Sequence, residues 1–141
     1  WNITVENVED KKATWIYLDE FYLMMQTETS ATTIQMFFKR IRKYFGIVTG
    51  ITQDMEDLMK SSQGRGMIEN TGFLLIMNQS PTGRELVKKR YRISDSLIEN
   101  IKDKPAGHGL IYTGRTMIPF DYKLPEETML YKLMSTKPSE D

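Results

Sequence analysis

Three runs rich in β-branched and aromatic residues, at 14–18, 47–52 and 73–78, alternate with segments of helical periodicity. Near the C-terminus a Gly-led turn joins two further apolar runs. This alternation predicts an α/β fold, a mostly parallel sheet flanked by helices with a C-terminal β-hairpin added at one edge. The 141 residues form no internal repeat, low-complexity tract or linker, and the expectation is a single unit with one core.

Residues 14–18 (TWIYL) read as a strand that Asp19-Glu20 ends abruptly, with Trp15 assigned to the core. Thr29 and Ser30 supply N-cap hydroxyls for the next helix. Its apolar positions Ile34, Phe37, Phe38, Ile41 and Phe45 fall on one helical face, with Lys39, Arg40, Arg42 and Lys43 on the other and in the last turn. Gly46 is the expected stop. Residues 47–52 (IVTGIT) read as a second strand ending at Gln53. Asp54 is placed to cap a helix carrying Met55, Leu58 and Met59, which Ser61-Ser62 breaks, and residues 65–70 form a further short helical piece. The run Phe73 to Met77 is continuously apolar, which predicts a strand buried on both faces in a parallel sheet. Ser80 or Thr82, with Pro81 in the first turn, opens a helix containing Leu86, Val87 and Tyr91, and Ser94 or Asp95 caps one more. Residues 109–113 and 116–120 flank Gly114-Arg115, a two-residue type II′ hairpin signal. Residues 126–134 allow a turn or two of helix, and residues 135–141 are expected to be a disordered tail.

Composition narrows the chemistry. Lys plus Arg equals Asp plus Glu at 19 each, which argues against a polyanion-binding domain taken as a whole. With no cysteine, a disulfide scaffold, a thiolate metal site and a cysteine nucleophile are excluded. One histidine, His108, excludes an internal two-histidine metal site, and its place between Gly107 and Gly109 reads as structural. Ten methionines read mostly as irregular core filler. Trp1 stands without an initiator Met or a signal-peptide pattern, so the expectation is a piece of a longer protein.

In open α/β folds ligands gather beyond the C-terminal ends of the parallel strands. Asp19-Glu20, Gln53 and Asn78-Gln79 fall at such ends. An apolar strand ending in Asp-Glu matches the Walker B arrangement, in which the first carboxylate faces a phosphate-bound Mg²⁺ and the second polarises the attacking water. Taken alone, such an ending is weak, and a solvated strand end is the plainer reading. A glutamine at the end of the following strand can orient water or sense a γ-phosphate, and an arginine at the sheet's opposite edge can reach a neighbouring subunit. Read plainly, Gln53 is a polar strand terminator and Arg42 a solvated helix-end cation.

The stretches TWIYLDEFYLMMQ, KRIRKYFGIVTGITQDMEDLM, NTGFLLIMNQSPTGRELV, GHGLIYTGRTMIPF and YKLMSTKP carry a resemblance that runs nearly end to end. The chain resembles the C-terminal part of the conjugative-transfer ATPases of type IV secretion systems, the TraC/TraE-like family (the fourth VirB component), whose motor domain is a RecA-like P-loop NTPase. The resemblance implies ATP and Mg²⁺ as cofactors of the parent protein, with Asp19 on the metal, Glu20 as base, Gln53 as sensor and Arg42 as a trans-acting finger. Arg65 is carried over as a nucleotide or interface contact of second rank. It further implies a hexameric parent, cytoplasmic and peripheral at the inner face of the bacterial membrane. Its partners would be secretion-channel components and a coupling ATPase, with possible DNA contact.

One departure outweighs these agreements. The phosphate-binding loop G-x-x-x-x-G-K-[ST] is absent, and Gln63-Gly64-Arg65-Gly66 has the wrong spacing and no Lys-Ser/Thr pair. The expectation is therefore a RecA-like domain truncated on its N-terminal side, unable to hydrolyse ATP alone. Two rival readings stay open. One is a non-hydrolysing assembly module. The other is a winged-helix DNA-binding module built from residues 80–101 and the hairpin, with Lys88, Lys89, Arg90, Arg92 and Arg115 on phosphates. Sheet edges left unpaired by truncation predict self-association, seen as a sedimentation coefficient that rises with concentration. A strictly monomeric profile at all concentrations contradicts this.

Overall fold

The computed structural model describes residues 2–53 and 55–135. A helix the sequence pattern did not signal, α1 (Asn2–Glu9), comes first, and it buries only Thr4. Strand β1 (Thr14–Leu18) has the predicted bounds. A 3₁₀ segment (Phe21–Met25) leads to α2 (Glu28–Arg40), whose cap is Thr27: its extended backbone aims the hydroxyl at the Ser30 N–H. The helix thus begins before the expected Thr29 or Ser30.

A second departure follows at the other end of α2. The chain tightens into a 3₁₀ segment (Ile41–Tyr44), in which successive residues rotate by about 120° and the helical face is lost. Ile41 stays buried at 3% exposure, but Phe45, in the left-handed region at φ 49°, turns its ring to solvent. Gly46 does not stop the helix; it opens β2 (Gly46–Gly50), where a Cβ would collide with the Ile41 side chain.

Strands β1 and β2 pair in parallel, Thr14 opposite Gly46 through Leu18 opposite Gly50. Next come α3 (Met55–Lys60) and α4 (Ser62–Asn70), the latter capped by Ser61, whose hydroxyl accepts the Gly64 N–H. The expected cap of α3, Asp54, lies outside the described residues, as do residues 136–141 of the expected disordered tail.

Strand β3 (Phe73–Ile76) corrects one expectation. It does not join the parallel pair. It pairs antiparallel with β4 (His108–Thr113), which pairs with β5 (Thr116–Asp121) in a separate three-stranded sheet. Nor is it buried on both faces: Leu74 and Ile76 face the core, while Phe73 and Leu75 are more than half exposed. A continuous apolar run fits two-sided burial, but here the core covers one face only. The same one-sidedness leaves Trp15 61% and Tyr17 65% exposed, so Trp15 is not core. Met67 is fully buried, whereas Met24, Met36, Met77, Met129 and Met134 are exposed, which limits the core-filler reading.

Helix α5 (Pro81–Tyr91) starts as predicted, with the Ser80 hydroxyl accepting the Gly83 N–H and Pro81 in the first turn. Helix α6 (Asp95–Ile98) runs into a 3₁₀ turn (Glu99–Ile101). The hairpin turns at Gly114, which takes φ 63° as a Gly-led turn requires. Helix α7 (Met129–Met134) closes the described chain and buries no residue. The core joins Phe21, Met67, Ile76, Val87, Ile101 and Leu110, so residues from the start of the first 3₁₀ segment, α4, β3, α5 and β4 share one cluster. The α/β class, the parallel pair and the C-terminal hairpin thus stand as read.

Burial pushes the Tyr91 phenol up from 10.0 to about 12, with the Arg90 cation opposing. A folded pKa above the unfolded one gives a stability contribution complete below pH 10 and lost as pH rises through 12. Tyr91→Phe keeps the ring contact with Tyr112 and removes this ionisation. Urea unfolding at stepped alkaline pH should show a shallower loss of stability in the variant than in the wild type.

Candidate active-site edge

Parallel pairing puts the C-terminal ends of β1 and β2 side by side, and the ladder continues past the strands. The Ile51 N–H donates to the Leu18 carbonyl at 2.8 Å, and the Phe21 N–H donates to the Ile51 carbonyl at 3.2 Å. Between these links Asp19 and Glu20 form a tight turn, with the Glu20 N–H donating to Asp19 Oδ1 at 2.9 Å. Glu20 sits at φ 47° and ψ 38°, in the left-handed region. For a residue with a Cβ this costs about 1–2 kcal/mol, which the surrounding contacts must offset.

The turn brings together two predicted residues that are 33 positions apart: Gln53 Nε2 donates to Glu20 Oε1 at 2.5 Å. The other carboxylate oxygen, Oε2, is buried with no partner among the described residues, as is the neighbouring strand-end hydroxyl Thr52 Oγ1. Asp19 is exposed beside them. The edge therefore presents one open carboxylate, a second carboxylate held on one oxygen by an amide, and a hydroxyl with unused capacity.

The remaining candidates lie elsewhere. Arg42 is exposed in the 3₁₀ segment before β2, at the opposite end of the sheet. The whole of β2, about 16 Å of extended chain, lies within the stretch that separates it from Gln53. Arg65, on α4, turns its guanidinium back on α3: Nη1 donates to the carbonyls of Met59 at 2.7 Å and Lys60 at 3.3 Å. It satisfies carbonyls that a helix end leaves open. Asn78, the third strand-end group, is engaged with the backbone of Lys104, accepting its N–H at 3.0 Å and donating to its carbonyl at 2.5 Å. This clamp fixes the loop after β3. It does not offer a free amide.

Two of the five basic residues of the winged-helix reading are committed as well. Lys88 donates to Asp95 at 2.5 Å, a contact that holds its ammonium above the usual lysine range, and Arg90 lies 3.5 Å from Glu69. Helix α6 has four residues, too few for a recognition helix, and the hairpin is spent on pairing with β3. His108 bridges Pro105 O and Asp121 Oδ1, each at 3.2 Å, across the hairpin base, a structural role.

Two further residues, Phe21 and Gly50, shape this edge. Phe21 is 4% exposed and fills the space beside Gly50. Glycine inside a β-rich run signals a close approach, and that signal was present in the sequence as IVTGIT.

Adjacent parallel strands that lead into Asp-Glu and into Gln put these polar side chains where open α/β units bind their ligands. Residues 5–102 match the model of the TraG P-loop domain, and the chain belongs to that family, the conjugation and type IV secretion ATPase group its sequence resembles. Among solved structures, VirB4 of Thermoanaerobacter pseudethanolicus superposes with a TM-score of 0.71 at 21% identity, over 83% of this chain. The alignment covers 33% of that chain, so the present sequence spans about a third of its length. No curated protein matches the sequence. Among the described residues no helix is long and apolar enough to cross a membrane, and no group of three or more His, Cys, Asp and Glu could hold a metal ion.

The two arginines should respond differently to truncation. Arg65→Ala removes hydrogen bonds to two helix-end carbonyls and should lower the urea-unfolding free energy by about 1 kcal/mol. Arg42→Ala should stay within about 0.5 kcal/mol of wild type. Equal effects would contradict the placement of Arg65 as a cap.

Proposed function

We propose that this segment supplies the metal-side and water-side half of an ATP-hydrolysing site in a type IV secretion or conjugation motor. The observation that supports it most is the pairing register that sets Asp19, Glu20 and Gln53 on one edge, with Gln53 Nε2 on Glu20 Oε1 at 2.5 Å.

The donor set fits Mg²⁺. A carboxylate oxygen is the ligand this hard cation prefers, and it commonly binds through one or two carboxylates while substrate phosphates and water complete the octahedron. That agrees with an edge offering Asp19 and a Glu20 Oε2 with no partner among the described residues. When bound, Mg²⁺ neutralises charge on the transferring phosphoryl group. Asp19 holds the metal side. Glu20 accepts a proton from the attacking water, and Gln53 orients that water or the γ-phosphate once its amide leaves Glu20. Arg42, exposed at the other end of the sheet, would serve a neighbouring subunit of a ring. Arg65 enters only if its guanidinium leaves the α3 carbonyls.

The sequence has no phosphate-cradling loop, so ATP binding requires residues supplied by a longer protein. On this reading the parent acts in the cytoplasm at the inner face of the membrane, with the secretion channel, a coupling ATPase and DNA as its candidate partners.

Calorimetry with Mg-ATP on this chain, beside a form extended N-terminally through a glycine-rich loop, tests the proposal. The extended form alone should bind. Glu20→Gln in it should keep binding and lower turnover by roughly 100-fold or more. If neither form binds nucleotide, the fold serves as an assembly module.

A further inference from the structure

Glu20 occupies a strained backbone conformation, and the contacts that hold it there converge on one ring. Phe21 follows Glu20 directly, is 4% exposed, and ties its N–H to the Ile51 carbonyl just beyond β2. Its ring packs against Phe38 of α2 with centroids 5.9 Å apart. Gly50, the last residue of β2, lies against both rings. A Cβ there would fall 2.8 Å from Phe21 Cε1, 2.9 Å from Cδ1 and 3.1 Å from Phe38 Cζ. The slot these two rings share is therefore open only because residue 50 has no side chain.

We infer that Phe21 is a positioning residue: packed on Phe38 in the space that Gly50 leaves open, it holds Glu20 left-handed and so delivers the Glu20 carboxylate to Gln53. Glycine within a strand weakens it, which argues that the slot serves the turn and not the strand. The link to hydrolysis rests on the reading of Glu20 as the carboxylate that activates water; the link to Glu20 geometry does not.

The test separates the two. In ¹⁵N,¹³C-labelled chain, positive φ at Glu20 gives a strong NOE between its own amide and α protons, and the Gln53 side-chain amide gives NOEs to the Glu20 methylenes. Gly50→Ala, which displaces the ring, and Phe21→Leu, which keeps apolar bulk without it, should both lose these signals while the dispersed spectrum of the fold remains. Should Gly50→Ala fail to fold, Phe21→Leu decides. Persistence of both signals in a folded variant overturns the inference. In the extended protein, Phe21→Leu should lower kcat roughly tenfold or more, with KM for Mg-ATP within about twofold of wild type. An unchanged kcat beside lost NOEs would remove the catalytic role of the positioning. If Glu20→Gln hydrolyses ATP as fast as wild type, the function proposed above fails, and the NOEs still decide whether Phe21 sets the turn.

Discussion

The in-register parallel pairing of β1 with β2 is the constraint on which the rest of the edge depends. Nothing local joins Glu20 to Gln53; the ladder does, from Thr14 opposite Gly46 to Leu18 opposite Gly50, and then through the two backbone links at Ile51. A slip of one residue would reverse the faces of one strand and carry Gln53 away from the Asp-Glu turn. Helix α2 and its 3₁₀ extension form the crossover that makes this parallel pairing possible, and they bring Phe38 against the ring that follows Glu20. Register, crossover and turn act as one unit.

Burial explains why the edge is firm although the strands are half open. The inward side chains of β3 and β4 join a cluster with α3, α4 and α5, and Phe21 carries that cluster to the foot of the Asp-Glu turn. The outward face keeps Trp15, Tyr17, Phe73 and Leu75 exposed. A rigid anchor on one side of a turn is what a strained residue needs. Glu20 can hold a left-handed backbone because its neighbour Phe21 is fixed in the core, while Asp19 on its other side stays in solvent.

Much of this was legible in the residues. The bounds of β1, the Ser80-Pro81 helix start and the Gly114 turn each follow from local stereochemistry, and local rules suffice there. The candidate pair Glu20 and Gln53 was legible because strand ends in an α/β alternation converge. What escaped the sequence was set by non-local or subtle geometry. Phe45 continues a helical spacing on paper, but the change to 3₁₀ winding after Arg40 turns it outward. The apolar run from Phe73 does not state which partner its strand takes, and the antiparallel ladder with β4 is decided by tertiary packing. Arg65 carries no sequence mark of its contact with the α3 carbonyls. Helix α1 buries too little to leave a clear periodic pattern. The left-handed turn at Glu20 had no signal at that residue, only an indirect one in the glycine at 50.

A double-mutant cycle between Glu20 and Gln53 tests the central claim, that the register of β1 and β2 joins these two side chains in solution. Unfolding free energies would be measured for wild type, Glu20→Ala, Gln53→Ala and the double variant. The account predicts a favourable coupling of about 1 kcal/mol, as expected for a charge-assisted hydrogen bond at a partly exposed site. Strictly additive effects would contradict it.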